Sequence, residues 1–164
     1  MKELGDKAEK HFDQFATFQT CQFMASAFTE RKSYTEAAEF FKRQLKFVEK
    51  DLKEKHSDEQ EEVKFDIHKK IANSIEGRIL TIDDKYHKDF PLMTKLLEEE
   101  TKHGCKWFFS KYASILDRLE TGFRLLRVYS QLNKKVKVRQ KIREDVFAIL
   151  TKVTLEFGEE NLDQ

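Results

Sequence analysis

Apolar residues return every three or four positions along almost the whole chain, and a single proline, Pro91, interrupts them. That spacing puts apolar side chains on one face of an α-helix, whereas a half-buried strand needs strict alternation bounded by turn formers. With only five glycines besides that proline, the chain has few places to reverse, so its helices should be long. The expected fold is all-α, an elongated antiparallel bundle of four or five long helices with coiled-coil-like packing. At 164 residues the chain suits one domain, residues 1–158, able to bury roughly two thirds of the surface it exposes when unfolded. Residues 159–164 follow as a short acidic tail.

The first helix is expected over about 28 residues, with Leu4, Ala8, Phe12, Phe15, Phe18, Phe23, Met24, Ala25 and Phe28 on its stripe and Arg31 and Lys32 at its end. Ser33 with Glu36 three residues on has the capping-box pattern that starts the next helix. There Tyr34, Ala38, Phe41, Leu45, Val48 and Leu52 alternate in steps of four and three, a narrow seam of the coiled-coil type and the expected assembly face. Residues 53–62 are nearly all polar and fit either a connection or a solvated length of helix. The rhythm resumes from Val63 through Ile67, Ile71, Ile75, Ile79 and Ile82, as far as Tyr86. Pro91 marks a boundary or kink near 88–91, because it disfavours helical geometry at Phe90. After it, Leu92, Leu96, Trp107, Ile115, Leu119, Leu126 and Tyr129 predict a helix of about 40 residues, roughly 60 Å long. A last helix is expected from Val138 to Phe157, stopping at Gly158.

Thirty acidic and 31 basic residues nearly cancel, so net charge selects no partner, but their distribution does. Between Glu120 and Glu144 no acidic residue occurs, while Arg124, Arg127, Lys134, Lys135, Lys137, Arg139, Lys141 and Arg143 supply eight cations. Such a stretch suits anionic lipid headgroups, each nearby cation being worth roughly 1 kcal/mol. It lacks the interleaved aromatics that stack bases, which disfavours nucleic acid. Acidic side chains over residues 57–100 could also neutralise it within the fold.

Nothing in the sequence carries a catalytic pattern: there is no glycine-rich phosphate loop, no nucleophile elbow and no paired-histidine metal motif. Glu100 and His103 have the spacing of a bundle-core metal pair, but without a matching set elsewhere a solvated helix face is the simpler reading. His11, His56 and His68 stand among charged neighbours and are expected to titrate in solvent. Cys21 and Cys105 are expected as free, half-buried thiols of a reducing compartment, and Lys106 would depress the Cys105 pKa. The 15 phenylalanines are read as helix-interface packing, with a lipid-sized cavity as the sharper alternative.

Three resemblances accompany this reading. Gly77-Arg78-Ile79-Leu80-Thr81-Ile82-Asp83, followed by Tyr86 and Phe90-Pro91, resembles the middle helix of amphiphysin-type BAR domains, which implies a crescent-shaped dimer on curved anionic membranes. Glu98, Glu99 and Glu100 stand where that family continues with basic residues. Leu96, Gly104, Trp107, Leu116, Leu119, Gly122 and Arg124, within residues 92–131, are similar to the glycolipid transfer protein family. Its headgroup site is not reproduced, since Lys70 and Asn73 stand where Asn and Lys are wanted beyond Asp66, and Arg118 replaces the stacking Trp. Met24, Ala25, Phe28, Ala37 and Phe41 resemble one tetratricopeptide unit.

Together these features predict a non-enzymatic helical scaffold that binds an anionic phospholipid surface or a protein partner, as a homodimer, with no metal and no cofactor. The alternatives are a lipid-binding or transfer protein with a Phe-lined cavity and a tetratricopeptide-like adaptor. The expected location is the cytoplasm, with peripheral attachment to a membrane if the basic stretch is the contact; no secretion signal or membrane span is read.

Overall fold

A computed structural model describes residues 17–82, 90–132 and 135–162 of the chain. Among them every regular element is a helix: α1 (Phe18–Glu30), α2 (Tyr34–Glu54), α3 (Asp58–Thr81), α4 (Phe90–Phe108), α5 (Ile115–Leu132) and α6 (Val136–Leu162). The backbone divides into two compact units, Met1–Thr81 and Ile82–Gln164. No helix among the described residues is long and apolar enough to cross a membrane.

In the first unit α1 starts at a reciprocal cap. The Thr17 hydroxyl accepts from the Thr20 amide, and the Thr20 hydroxyl accepts from the Thr17 amide at 2.7 Å. The expected positions Leu4, Ala8, Phe12 and Phe15 lie outside the described residues. Lys32 takes a left-handed φ of 57°, and the Ser33 amide closes the helix end on the Phe28 carbonyl. Ser33 makes no side-chain cap to α2, so the expected capping box with Glu36 does not form; the serine instead serves the end of the preceding helix. The polar stretch 53–62 contains a short break at residues 55–57 between two helices. Its Ser57 hydroxyl accepts from the Gln60 amide, and Asp58, Glu59 and Glu61 fill the first turn of α3, where the helix dipole favours negative charge.

Helix α2 packs against both α1 and α3. Small residues at the crossings, Ala25, Ala37 and Ala38, let backbones approach, and Phe41, Leu45, Val48, Ile67, Ile71 and Ile75 fill the space between them. Gly77 near the end of α3 meets the Tyr34 ring at the start of α2, which makes this pair an antiparallel hairpin. A methyl group on Gly77 would lie 2.7 Å from that ring.

In the second unit Pro91 sits in the first turn of α4, where its missing amide costs no helical hydrogen bond. The single helix expected over 92–131 is broken between Phe108 and Ile115. Serine chemistry accounts for the break: Ser110 Oγ donates back to the Trp107 carbonyl at 2.7 Å, and Ser114 Oγ accepts from the Asp117 amide to start α5. Arg118 bridges the turn by donating to the Ser110 carbonyl at 3.0 Å. The core joins Phe108, Leu125, Tyr129, Ile142 and Val146, with Cys105, Leu119, Leu126, Leu132 and Val138 around it. Gly122 lies against Val146 and Phe108, closing α5 onto its neighbours. The last helix does not stop at Gly158 but runs on to Leu162, so residues 159–162 of the expected tail are helical. Among the described residues nothing lies within 4 Å of where a Gly158 side chain would stand.

Candidate interaction surface

The expected assembly face is spent inside the first unit. Ala38, Phe41, Leu45 and Val48 are buried there, and Tyr34 and Leu52 are half-buried. The seam is a largely buried stripe of α2, the helix that packs against α1 and α3 of the same chain.

The basic stretch divides into different environments. Arg127, Lys135, Lys137, Lys141 and Arg143 are exposed and Arg139 is half-buried, while Lys134 lies outside the described residues. Lys135 has a left-handed φ of 53° just ahead of α6, and its carbonyl accepts the Arg139 amide. The Lys141 ammonium stands 4.9 Å over the Phe109 ring, a cation–π distance. Arg124 does not belong to this surface. It turns inward from α5, 14 % exposed, and its Nε lies 3.2 Å from Oε1 of a fully buried Glu100 on α4.

That pairing overturns the solvated-face reading of Glu100 and His103, both of which are buried. His68, expected in solvent, is buried on α3 beside the tilted ring of Phe65. His11 lies outside the described residues. His56 remains exposed, with Nε2 3.3 Å from Glu61 Oε2. With Asp58 these two place three ligand-type atoms within 4.8 Å, a grouping that helix-start acids produce on their own.

Cys21 is fully buried and Cys105 half-buried; both are free thiols. Burial pushes the Cys105 thiol up from its ordinary value of 9.0, against smaller downward effects of its hydrogen bond to Tyr129 and of Lys135. The depression expected from Lys106 is thus reversed. The same burial, with the 3.2 Å contact to Cys105, raises the Tyr129 hydroxyl well above its ordinary range. A cleft of about 410 Å³ opens in the first unit between Ser26, Thr29, Tyr34, Phe41, Lys70 and Asn73. Its lining is mixed, and Phe41 is the one phenylalanine in it.

The surface that sequence reasoning missed runs along α6. Its inner stripe, Val138, Ile142, Val146, Ile149 and Val153, turns toward the core of the unit and becomes half-exposed or exposed by Ile149 and Val153. A second row, Val136, Gln140, Arg143, Phe147, Leu150 and Thr154, follows the same four-three spacing on the solvent side. Val136 is 64 % exposed and Phe147 71 %, with Leu150 and Leu155 also in solvent. The signal was present as apolar residues on two faces of one helix. One face is explained by the bundle and the other is not.

No protein family's sequence profile, no curated protein and no solved structure matches this chain.

Proposed function

We propose that this chain is a non-enzymatic helical scaffold that binds a protein partner through the solvent face of α6. The observation that carries this reading is the row on which large apolar side chains are left in water along that helix, Val136, Phe147 and Leu150. Scattered exposed apolar residues are ordinary, but several on one face of one helix are the usual mark of an interaction surface. Helix-in-groove recognition works through anchors at this spacing.

An anionic membrane surface is the second reading, favoured by the exposed cations Arg127, Lys135, Lys137, Lys141 and Arg143. It fits the start of α6 and not its continuation, where Glu144 and Glu156 are exposed on the same helix and would be repelled by anionic headgroups. A protein can complement both signs, so it is the better match.

The test is a photo-reactive residue placed at position 147 in cells, with position 46, exposed on α2, as the control. Protein adducts formed at 147 and not at 46 support the scaffold reading. Lipid adducts alone would transfer the function to the membrane surface, and equal labelling at both positions would overturn the assignment of α6.

A further inference from the structure

We infer that the cleft of the first unit is a binding site for a small organic ammonium ion, a primary amine carried on an apolar body the size of an aromatic ring. This does not depend on the reading of α6.

Three helix faces converge on the cleft. Ser26, Thr29 and Glu30 of α1 and Lys70, Asn73 and Ser74 of α3 share one spacing, i, i+3, i+4, which puts each trio on one side of its helix. Both helices lie on α2, which supplies the rings of Tyr34 and Phe41. Most of the side chains from α1 and α3 are short, and three of them spend a hydrogen bond along their own helix. Thr29 Oγ1 donates to the Ala25 carbonyl at 2.8 Å, Ser74 Oγ donates to the Lys70 carbonyl at 3.0 Å, and the Lys70 ammonium stands 3.1 Å from Asp66 Oδ2. None of these bonds ties one wall to the other, and about 410 Å³ stays open between them. That volume lies within the range of small-molecule sites, about 300–1,000 Å³.

The same bonds decide the chemistry of an occupant. A hydroxyl whose proton is committed to a backbone carbonyl has only lone pairs left to offer, so Thr29 and Ser74 act at the cleft as acceptors. Glu30 is an acceptor as well and brings a negative charge. Lys70 is the one cation among the described lining residues, and Asp66 on the preceding turn offsets its charge. The balance is two carboxylates, Glu30 and Asp66, against one ammonium. Ser26, Tyr34 and Asn73 can donate or accept. A carboxylate or phosphate would meet the Glu30 charge and the hydroxyl lone pairs and be repelled. An ammonium group supplies the donors these oxygens lack and is also attracted by the face of an aromatic ring. Tyr34 and Phe41 give its apolar body a surface to cover.

The experiment is titration of the full chain with 2-phenylethylammonium up to about 10 mM, a range suited to a ligand of this size, followed by amide shifts in two-dimensional NMR. The expected result is a saturable shift of the Ser26, Thr29 and Asn73 amides. 2-Phenylethanol, with the same ring and no charge, should bind about tenfold more weakly, and 3-phenylpropionate should show no saturation. Ethylammonium, with the head group and no ring, should also bind about tenfold more weakly. Glu30→Gln and Thr29→Val, both at exposed positions, should each weaken the amine about threefold or more while leaving the rest of the spectrum in place. Ser26→Trp, which fills the cleft from an exposed position, should abolish binding with the melting temperature unchanged. No saturable shift with the amine, equal binding of the three ring compounds, preference for the carboxylate, or binding indifferent to Ser26→Trp overturns the inference.

Discussion

Two glycines in the second unit should respond in opposite directions to the same change. A methyl group on Gly122 would overlap the Val146 side chain and stand 3.0 Å from Phe108 Cε2. Neither neighbour can move aside cheaply: Phe108 and Val146 are both buried, and a valine in a helix has essentially one side-chain rotamer. Overpacking of this kind costs about 1–3 kcal/mol, against about 1 kcal/mol gained because alanine suits a helix better than glycine. Gly122→Ala should therefore lose up to about 2 kcal/mol net, and for a unit of this size each kcal/mol lowers Tm by roughly 4–8 °C. At Gly158 the added methyl meets nothing, so Gly158→Ala should gain up to about 1 kcal/mol from helix preference alone. Thermal and urea denaturation followed by circular dichroism at 222 nm measure both. A Gly122→Ala protein as stable as the Gly158→Ala protein would refute the close packing of α5 on α6.

Other consequences can be measured on the same protein. Arg124→Met should destabilise the second unit by up to about 3–5 kcal/mol in urea denaturation, because it removes the cation that stands 3.2 Å from the buried Glu100 carboxylate. Adding Glu100→Gln should recover much of that loss. Cys105 and Tyr129 hold their protons more tightly when folded, so their contribution to stability is complete below about pH 9, where the unfolded thiol begins to ionise, and declines as pH rises through the raised values. Tm should accordingly fall at alkaline pH, and Cys105→Ala should reduce that slope; an unchanged slope would remove the thiol from the account. Gln44 is buried and its Oε1 lacks a hydrogen bond among the described residues, so Gln44→Met, of similar shape, should be neutral or stabilising by up to about 1 kcal/mol in the same assay.

Much of the helical pattern is legible in the chain because periodicity reports directly on burial. The 34–52 seam and the isoleucine series of α3 lie largely where their spacing puts them. The break at Phe109–Ser114 was hidden because the apolar stripe continues through it, and only the Ser114-x-x-Asp117 cap announces it. Glu100 and Arg124 could not be paired in advance, since each looks like an ordinary surface residue until two helices bring them together. The exposed row on α6 was obscured for a related reason. Periodicity marks a stripe as apolar but does not tell whether the chain itself will cover it: the seam of α2 is apolar at all six positions and is covered, while the outer row of α6 alternates apolar residues with Gln140, Arg143 and Thr154 and is not.

The ion pair between Glu100 and Arg124 has a consequence for how the second unit can assemble. Apolar side chains are largely interchangeable, so a helical hairpin held by them alone can slip in register with little penalty. One residue of slip turns a helix by about 100°. Such a slip would carry Arg124 away from the buried Glu100 carboxylate, and separating a buried ion pair costs several kcal/mol. The pair thus works as a keyway between α4 and α5, admitting one alignment and rejecting its neighbours.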